Sequence, residues 1–396
     1  METILKKSLA VLASAVFIPA AYSQSSTSVY GLVDLSIGHT TISGGAAQPS
    51  GGTPFSSRQS QTRMDSGLAA GSRLGFKGVE DLGGGLNVRF QLEMGIAADT
   101  GGLNQGGLAW GRMAYLGIGE QGWSLTAGRL LTPMHSALAT SEALAGGYWG
   151  NITSEAQGVY EAIGSTPGNG SFQLGARADN AIQLTLNQGA WTAHAIASAG
   201  NENQRGTGRY LSVVVNYQSG PLKANAAIAK IRQNAEQIID SATPEWQTSW
   251  MIGGSYDFGA VALYTGLYQF TGPKNRSNLS SLATVGAAGA NPQAFSWNKN
   301  KLAWIGVKVP VFSGNLMTQI ARETYPYTGN PDGKSTIFAV AYEYPLSKRT
   351  TTYASYGQVR NNARARTPLY GAIPVVGPNG FGADARGLSV GLRHTF

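Results

Sequence analysis

The run Leu86, Asn87, Val88, Arg89, Phe90, Gln91, Leu92, Glu93, Met94 decides the fold class. Apolar side chains hold every even position, and polar or charged ones every odd position. Successive side chains of a strand point to opposite faces, so this period of two makes a strand with one apolar and one polar face. The same alternation recurs through Ile182, Leu184 and Leu186, through Leu211, Val213, Val215 and Tyr217, through Trp250 and Ile252, and through Leu388, Val390 and Leu392. No stretch of similar quality carries the 3.6-residue spacing of an amphipathic helix.

Working outward from these runs, turn-forming residues separate about sixteen such strands of roughly ten residues, near the ~9–11 that a tilted strand needs to cross a bilayer. The connections come in two sizes. Short ones fall near 80–85, 120–122, 188–190, 219–221, 257–260, 310–315 and 345–348; long ones near 40–66, 130–169, 232–245, 271–298 and 360–385. Only a closed barrel leaves no unpaired backbone group facing lipid. The expectation is therefore all-β: a 16-stranded antiparallel transmembrane β-barrel, with tight turns at the periplasmic rim and long loops outside. Tyr30, Trp110, Trp123, Trp191, Trp246, Trp304, Tyr342, Tyr344 and Tyr353 lie near strand ends, where aromatic girdles belong.

Composition agrees. Charged residues make up 13% of the 396, about half the usual soluble share, and Gly reaches 54. The mean hydropathy of −0.11 does not suit a helical membrane protein. With no cysteine, disulfide scaffolds, Cys-ligated zinc, iron–sulfur clusters and thiol catalysis are excluded. At the start, Lys6 and Lys7, the apolar run Ser8–Ile18, and small residues at Ala21 and Ser23 read as a signal peptide, residues 1–23, cut before Gln24. Residues 24–396 then form a single barrel in the outer membrane.

Several stretches resemble the general diffusion porins of beta-proteobacteria. They are Ser28-Val-Tyr-Gly-Leu-Val-Asp-Leu-Ser36, Gly71-Ser-Arg-Leu-Gly-Phe-Lys-Gly-Val-Glu-Asp-Leu-Gly-Gly-Gly-Leu86, Gly111-Arg-Met-Ala-Tyr-Leu-Gly117, Thr126-Ala-Gly-Arg129, Arg177-Ala-Asp-Asn180 and Val390-Gly-Leu-Arg-His-Thr-Phe396. The resemblance implies a homotrimer of water-filled barrels that pass small hydrophilic solutes and ions. It implies a third loop folded into each lumen, a row of lumenal arginines, and a terminal Phe396 that serves the outer-membrane assembly machinery. Lipid bilayer and lipopolysaccharide are the implied surroundings.

An aqueous lumen of sixteen strands is wide, so something must narrow it. The candidate is the segment from about 130 to 169, and a loop of this length is usually functional or disordered. The residue-by-residue match places Arg73, Arg112 and Arg177 at the constriction, Lys77, Arg89 and Arg129 as further lumenal charges, and Glu93 and Glu142 on the acidic side. Parity supports Arg73, which shares a face with Lys77, and Arg177, which shares one with Asp179 and Gln183; Arg112 fits less cleanly, with Trp110 and Leu116 on its parity. Rings of Arg or Lys are a general device for anion pores, so anion preference is expected. Gly31 and Gly78 read as small outward residues that allow flat packing between barrels.

Other signals carry no chemistry. Gly117–Gly122 fits GxGxxG but lies at a strand–turn–strand junction, and Gly329–Ser335 is one residue short of a phosphate loop. The four histidines, His39, His135, His194 and His394, have neither metal-ligand spacing nor an evident nucleophile partner. No catalytic or metal site and no cofactor is expected. Lys and Arg are dispersed at strand spacing, which argues against nucleic acid despite a pI near 9.5. The rival readings are a channel specific for small organic acids on the same barrel, a barrel enzyme using His39 or His135 as base, and a non-conducting adhesin.

Overall fold

The computed structural model describes residues 26–45, 58–158, 175–200, 208–232, 245–272, 299–326, 331–365, 367–369 and 381–396. The expected signal peptide and the end of the expected constriction segment lie outside them. Sixteen antiparallel strands close on themselves. In chain order they are β1 (Ser26–Ser43), β2 in two segments (Gln59–Ser66 and Arg73–Gly83), β3 (Leu86–Ala97), β4 (Met113–Glu120), β5 (Trp123–Leu131) and β6 (Arg177–Gln188). Then come β7 (Trp191–Ser198), β8 (Tyr210–Ser219), β9 (Leu222–Arg232), β10 (Trp246–Asp257) and β11 (Ala262–Thr271). The last five are β12 (Lys299–Val311), β13 (Gly314–Tyr325), β14 (Gly333–Pro345), β15 (Thr350–Asn361) and β16 (Asp384–Thr395). Each strand pairs with its sequence neighbours, and β16 pairs with β1 from Leu32↔Thr395 to Ser43↔Asp384.

The connections alternate as the turn chemistry predicts. Every even-to-odd junction is a tight turn, and every odd-to-even junction is longer and lies at the opposite rim. The first long loop is shorter than expected, because Gln59–Ser66 pairs with β1 as the upper half of β2. Between the two segments of β2, residues 67–72 leave the sheet. Asp34 holds this break: its carboxylate accepts from the backbone N–H of Ala69 and Ala70, both at 2.8 Å, and from Tyr353 Oη at 2.6 Å.

The alternation sorts faces as read. Ile182, Leu184 and Leu186 are exposed on the outside, where lipid would cover them, as are Leu211, Val213 and Val215. Three of the expected girdle aromatics turn inward instead: Tyr30 bonds to Glu93, while Trp304 and Tyr353 are buried in the lumen. Parity explains them, since each stands on its strand's polar face, and a large ring there has the lumen contents to pack on. The turn-side rim carries Trp191 tilted against Tyr217, ring centres 4.7 Å apart, and Tyr256 at 4.6 Å from Phe258. Gly31 and Gly78 are not flat open patches either. A Cβ at Gly31 would lie 2.2 Å from the Phe396 ring, and one at Gly78 2.5 Å from Phe90. Reciprocal backbone bonds of 3.1 Å tie Gly31 to Phe396, so the terminal phenylalanine fastens the barrel seam.

Candidate functional site

The loop between β5 and β6 turns into the lumen. Thr132 begins it, capping helix α1 (Pro133–Thr140) by accepting from His135 N. Proline at the first helical position costs no bond there. The chain then runs through Ser141–Asn151 into helix α2 (Ile152–Gly158).

This loop is fastened to the far wall at points remote in sequence. Asn225 of β9 donates to Ser141 Oγ (2.8 Å), and Trp304 Nε1 of β12 donates to the Ser141 carbonyl (2.8 Å). Trp149 is fully buried; its Nε1 donates to Ser389 Oγ (2.8 Å), and its backbone N–H to Ser355 Oγ (3.2 Å). The indole fits because β15 and β16 carry glycines beneath it: a Cβ at Gly357 would lie 2.6 Å from Trp149, and one at Gly387 2.8 Å. Tyr148 N donates to Leu68 O (2.7 Å), which joins the loop to the break in β2. Its hydroxyl donates to Glu343, which also accepts from Arg393 at 3.1 Å.

Glu142 does not line the pore, contrary to expectation. It is 1% exposed. Its carboxylate accepts from Ile152 N (2.7 Å), Thr153 N (3.0 Å), Thr153 Oγ1 (2.6 Å), Gly146 N (3.1 Å) and Gln319 Nε2 (2.9 Å). Burial pushes the carboxyl above its ordinary range, and these donors oppose that shift. An acceptor-only group at the centre of a tight loop satisfies backbone N–H groups that no helix or sheet can serve.

The opposite wall holds the charges. Arg112 stands one residue before β4, which is why strand parity did not fit it; its Nε donates to Glu93 Oε1 at 2.7 Å. Arg177 Nε donates to the Arg112 carbonyl (2.8 Å), and Arg129 Nε to the Gly111 carbonyl (2.8 Å). Arg129 also pairs with Asp179. Arg177 lies within electrostatic reach of Arg73, Arg112, Arg129 and Glu93. The predicted residues are thus brought together, with one change of rank. Arg177 is only 7% exposed and stands behind Arg112, whereas Arg73, Arg89 and Arg112 are partly exposed, Arg112 with 15% of its side chain. The Nε of Arg73 and of Arg89 has no hydrogen-bond partner among the described residues. Lys77 is exposed nearer the turn rim, its Nζ 5.1 Å from the Tyr30 ring centre.

Sequence reasoning missed the groups that set Glu93. Tyr115 donates to Gln91 (2.9 Å), Gln91 to Tyr30 (2.5 Å), and Tyr30 to Glu93 (2.8 Å). Parity could have found them, since all four occupy inward positions. It also missed a second basic group: a cavity of about 340 Å³ beside the loop is lined by Tyr148, Lys223, Lys308, Glu343 and Arg393. His39 faces outward, bonded to Thr62 (2.7 Å), while His135 sits on the inward loop, so the two potential bases do not meet.

A closed sheet around a polar lumen, crossed by a clamped loop facing arginines, is the geometry of a channel. The model of the Gram-negative porin family matches residues 8–364. An outer membrane porin protein of Bordetella pertussis is 28% identical, over 99% of this chain and all of that one. Outer membrane porin protein 32 of Delftia acidovorans is also 28% identical, with the same coverage. Among solved structures, an anion-selective porin from Comamonas acidovorans superposes with a TM-score of 0.71 at 24% identity, covering 94% of this chain and all of that one. The chain belongs to the Gram-negative porin family and is an outer-membrane diffusion channel for small hydrophilic solutes and ions.

Proposed function

We propose that the channel prefers anions and that Arg73, Arg112 and Arg89 carry the preference at its narrowest part. The observation behind this reading is an imbalance. Four guanidiniums, Arg73, Arg112, Arg129 and Arg177, share the wall with two carboxylates, Glu93 and Asp179, and each carboxylate already has an arginine partner. A narrow wet passage through a low-dielectric wall focuses the remaining positive field. Guanidiniums hold their charge at every physiological pH, so the filter does not titrate near neutrality. Glu93 limits how tightly an anion is held, and conduction needs entry without trapping. The solved porin of similar fold is described as anion-selective, which agrees.

The wider assembly follows the family. Residues 1–23 act as the export signal and are removed, the barrel is assembled through the strand ending in Phe396, and three copies associate in the membrane. Reversal potentials across a salt gradient in planar bilayers test the central claim: an anion-preferring sign is expected, and a cation-preferring sign refutes it. The partly exposed guanidiniums of Arg73 and Arg89 support one second reading, a channel specific for small organic acids. Saturable, solute-dependent block of the ion current by such acids would establish it.

A further inference from the structure

The charged wall contains one side chain whose place depends on a missing one. Tyr30 of β1, Gly75 of β2 and Glu93 of β3 stand in one row across three strands. β1 and β3 are two strand spacings apart, about 10 Å, so Tyr30 reaches Glu93 only by lying across β2. Gly75 leaves the room: a Cβ there would lie 2.5 Å from both Cζ and Oη of Tyr30. On the same face of β2, Arg73 stands two residues before that glycine and Lys77 two after it. The ring passes between them, with Lys77 Nζ 5.1 Å from its centre.

The hydrogen bonds around Glu93 have a fixed direction. An ionised carboxylate only accepts, so Tyr30 Oη donates to Oε2 (2.8 Å) and Arg112 Nε to Oε1 (2.7 Å). With its proton committed, Tyr30 accepts from Gln91 Nε2 (2.5 Å), and Gln91 Oε1 in turn accepts from Tyr115 (2.9 Å). Both oxygens of Glu93 are thereby taken, and the residue is only 2% exposed, back against the wall. Arg73 has no such match. Directly opposite it on β3 is Gly95, which offers no side chain, and Glu93 is a diagonal neighbour, within reach of a long side chain. The two lie within electrostatic reach of each other. Yet Arg73 forms no ion pair, and its Nε no hydrogen bond, among the described residues.

We propose that Tyr30 is a positioning residue for selectivity: its hydroxyl holds Glu93 back on Arg112 and so leaves Arg73 to the permeating anion, a role that rests on the anion preference proposed above. Without the hydroxyl, Glu93 Oε2 loses its donor. The cations diagonal to it on β2 are Lys77, exposed to water, and Arg73, whose buried Nε is unmatched. A buried polar group without a partner is costly, so Arg73 gains more from the carboxylate. Glu93 then turns to Arg73, ties up its guanidinium and brings a negative charge toward the stream. Gln91 and Tyr115 act one step further out, by fixing which way the Tyr30 proton points.

Reversal potentials across a salt gradient in planar bilayers test this on the folded mature channel, comparing wild type, Y30F, R73A and the double variant. Tyr30→Phe keeps the ring over Gly75 and removes one oxygen. Expected is a roughly twofold fall in the anion-to-cation ratio. In the R73A background the same substitution should leave the ratio unchanged, because no guanidinium remains there for Glu93 to join. An unchanged ratio in Y30F overturns the proposal. So does an equal fall in both backgrounds, which is what a loosened wall would give. The sign in wild type judges the channel's anion preference separately: a cation-preferring wild type refutes that preference, whereas the shift from wild type to Y30F is read whatever the sign. Should Y30F not fold, E93Q and R73A are compared singly and together. Effects that add in the logarithm of the ratio support the proposal, since a carboxylate held on Arg112 is independent of Arg73; effects that couple overturn it.

Discussion

The two sides of the lumen solve opposite problems. On the anchoring side, strands β9 and β12–β16 meet the inward loop with polar groups that are matched to it: Asn225, Trp304, Gln319, Ser355 and Ser389 each donate to or accept from it. On the charged side, strands β2–β6 leave guanidinium groups incompletely matched. A buried polar group without a partner costs about 1–3 kcal/mol, so the first side is built to stay still. The second leaves Arg73, Arg89 and Arg112 partly exposed, where a passing anion can meet them. Position and attraction are thus assigned to different walls.

Breaking the anchoring side should have the larger effect. Trp149→Ala removes a fully buried indole and its bond to Ser389, and leaves a cavity behind. A loss of about 3–5 kcal/mol is expected, seen as a lower unfolding temperature and as higher, noisier single-channel conductance. Next comes Glu142→Gln, which turns one acceptor into a donor among five donors. About 1–3 kcal/mol should go, again with increased current noise, while ion preference changes little. The same conductance trace in both variants as in wild type would show that the loop does not set the aperture.

The charged side should respond in selectivity. Arg112→Ala with Arg73→Ala removes two partly exposed charges, at about 1 kcal/mol each for an ion at the constriction. That corresponds to a roughly fivefold lower anion-to-cation ratio per charge, read from reversal potentials. Arg177→Ala should do less, because Arg177 supports Arg112 through its carbonyl rather than facing the stream. A twofold shift is expected on the same scale. An effect as large as that of Arg112 would place Arg177 in the aperture after all. The smallest change is predicted for Lys308→Gln on the cavity wall, a slight fall in anion conductance and in the anion-to-cation ratio.

What could be read from the chain follows from the same contrast. Alternation told which face each side chain takes, because a strand allows only two. Hence Arg73, Lys77, Arg89 and Glu93 were placed on the lumen side by inspection. It could not tell what stands across the lumen. Trp149 meets Ser355 and Ser389 over 206 and 240 residues of sequence, and no local pattern encodes such a meeting. Glu142 was misplaced for that reason: the family match gave its position in the loop but not its partners, and Thr153 and Gln319 surround it only once the loop is seated. The break in β2 was hidden as well, since Leu68, Ala69 and Ala70 carry no turn signal and their departure from the sheet depends on Asp34 and Tyr353.

The indole pocket made by Gly357, Gly387, Ser355 and Ser389 has a consequence for the order of events in biogenesis. Its walls are supplied by the last two strands, and contacts of such long separation form late. A cylinder that has not yet received β15 and β16 has nowhere to lodge Trp149, so the plug cannot settle before the wall is whole. Permeability is therefore fixed at the final step of construction, and the cell is spared a wide leak from any chain that completes its circumference properly.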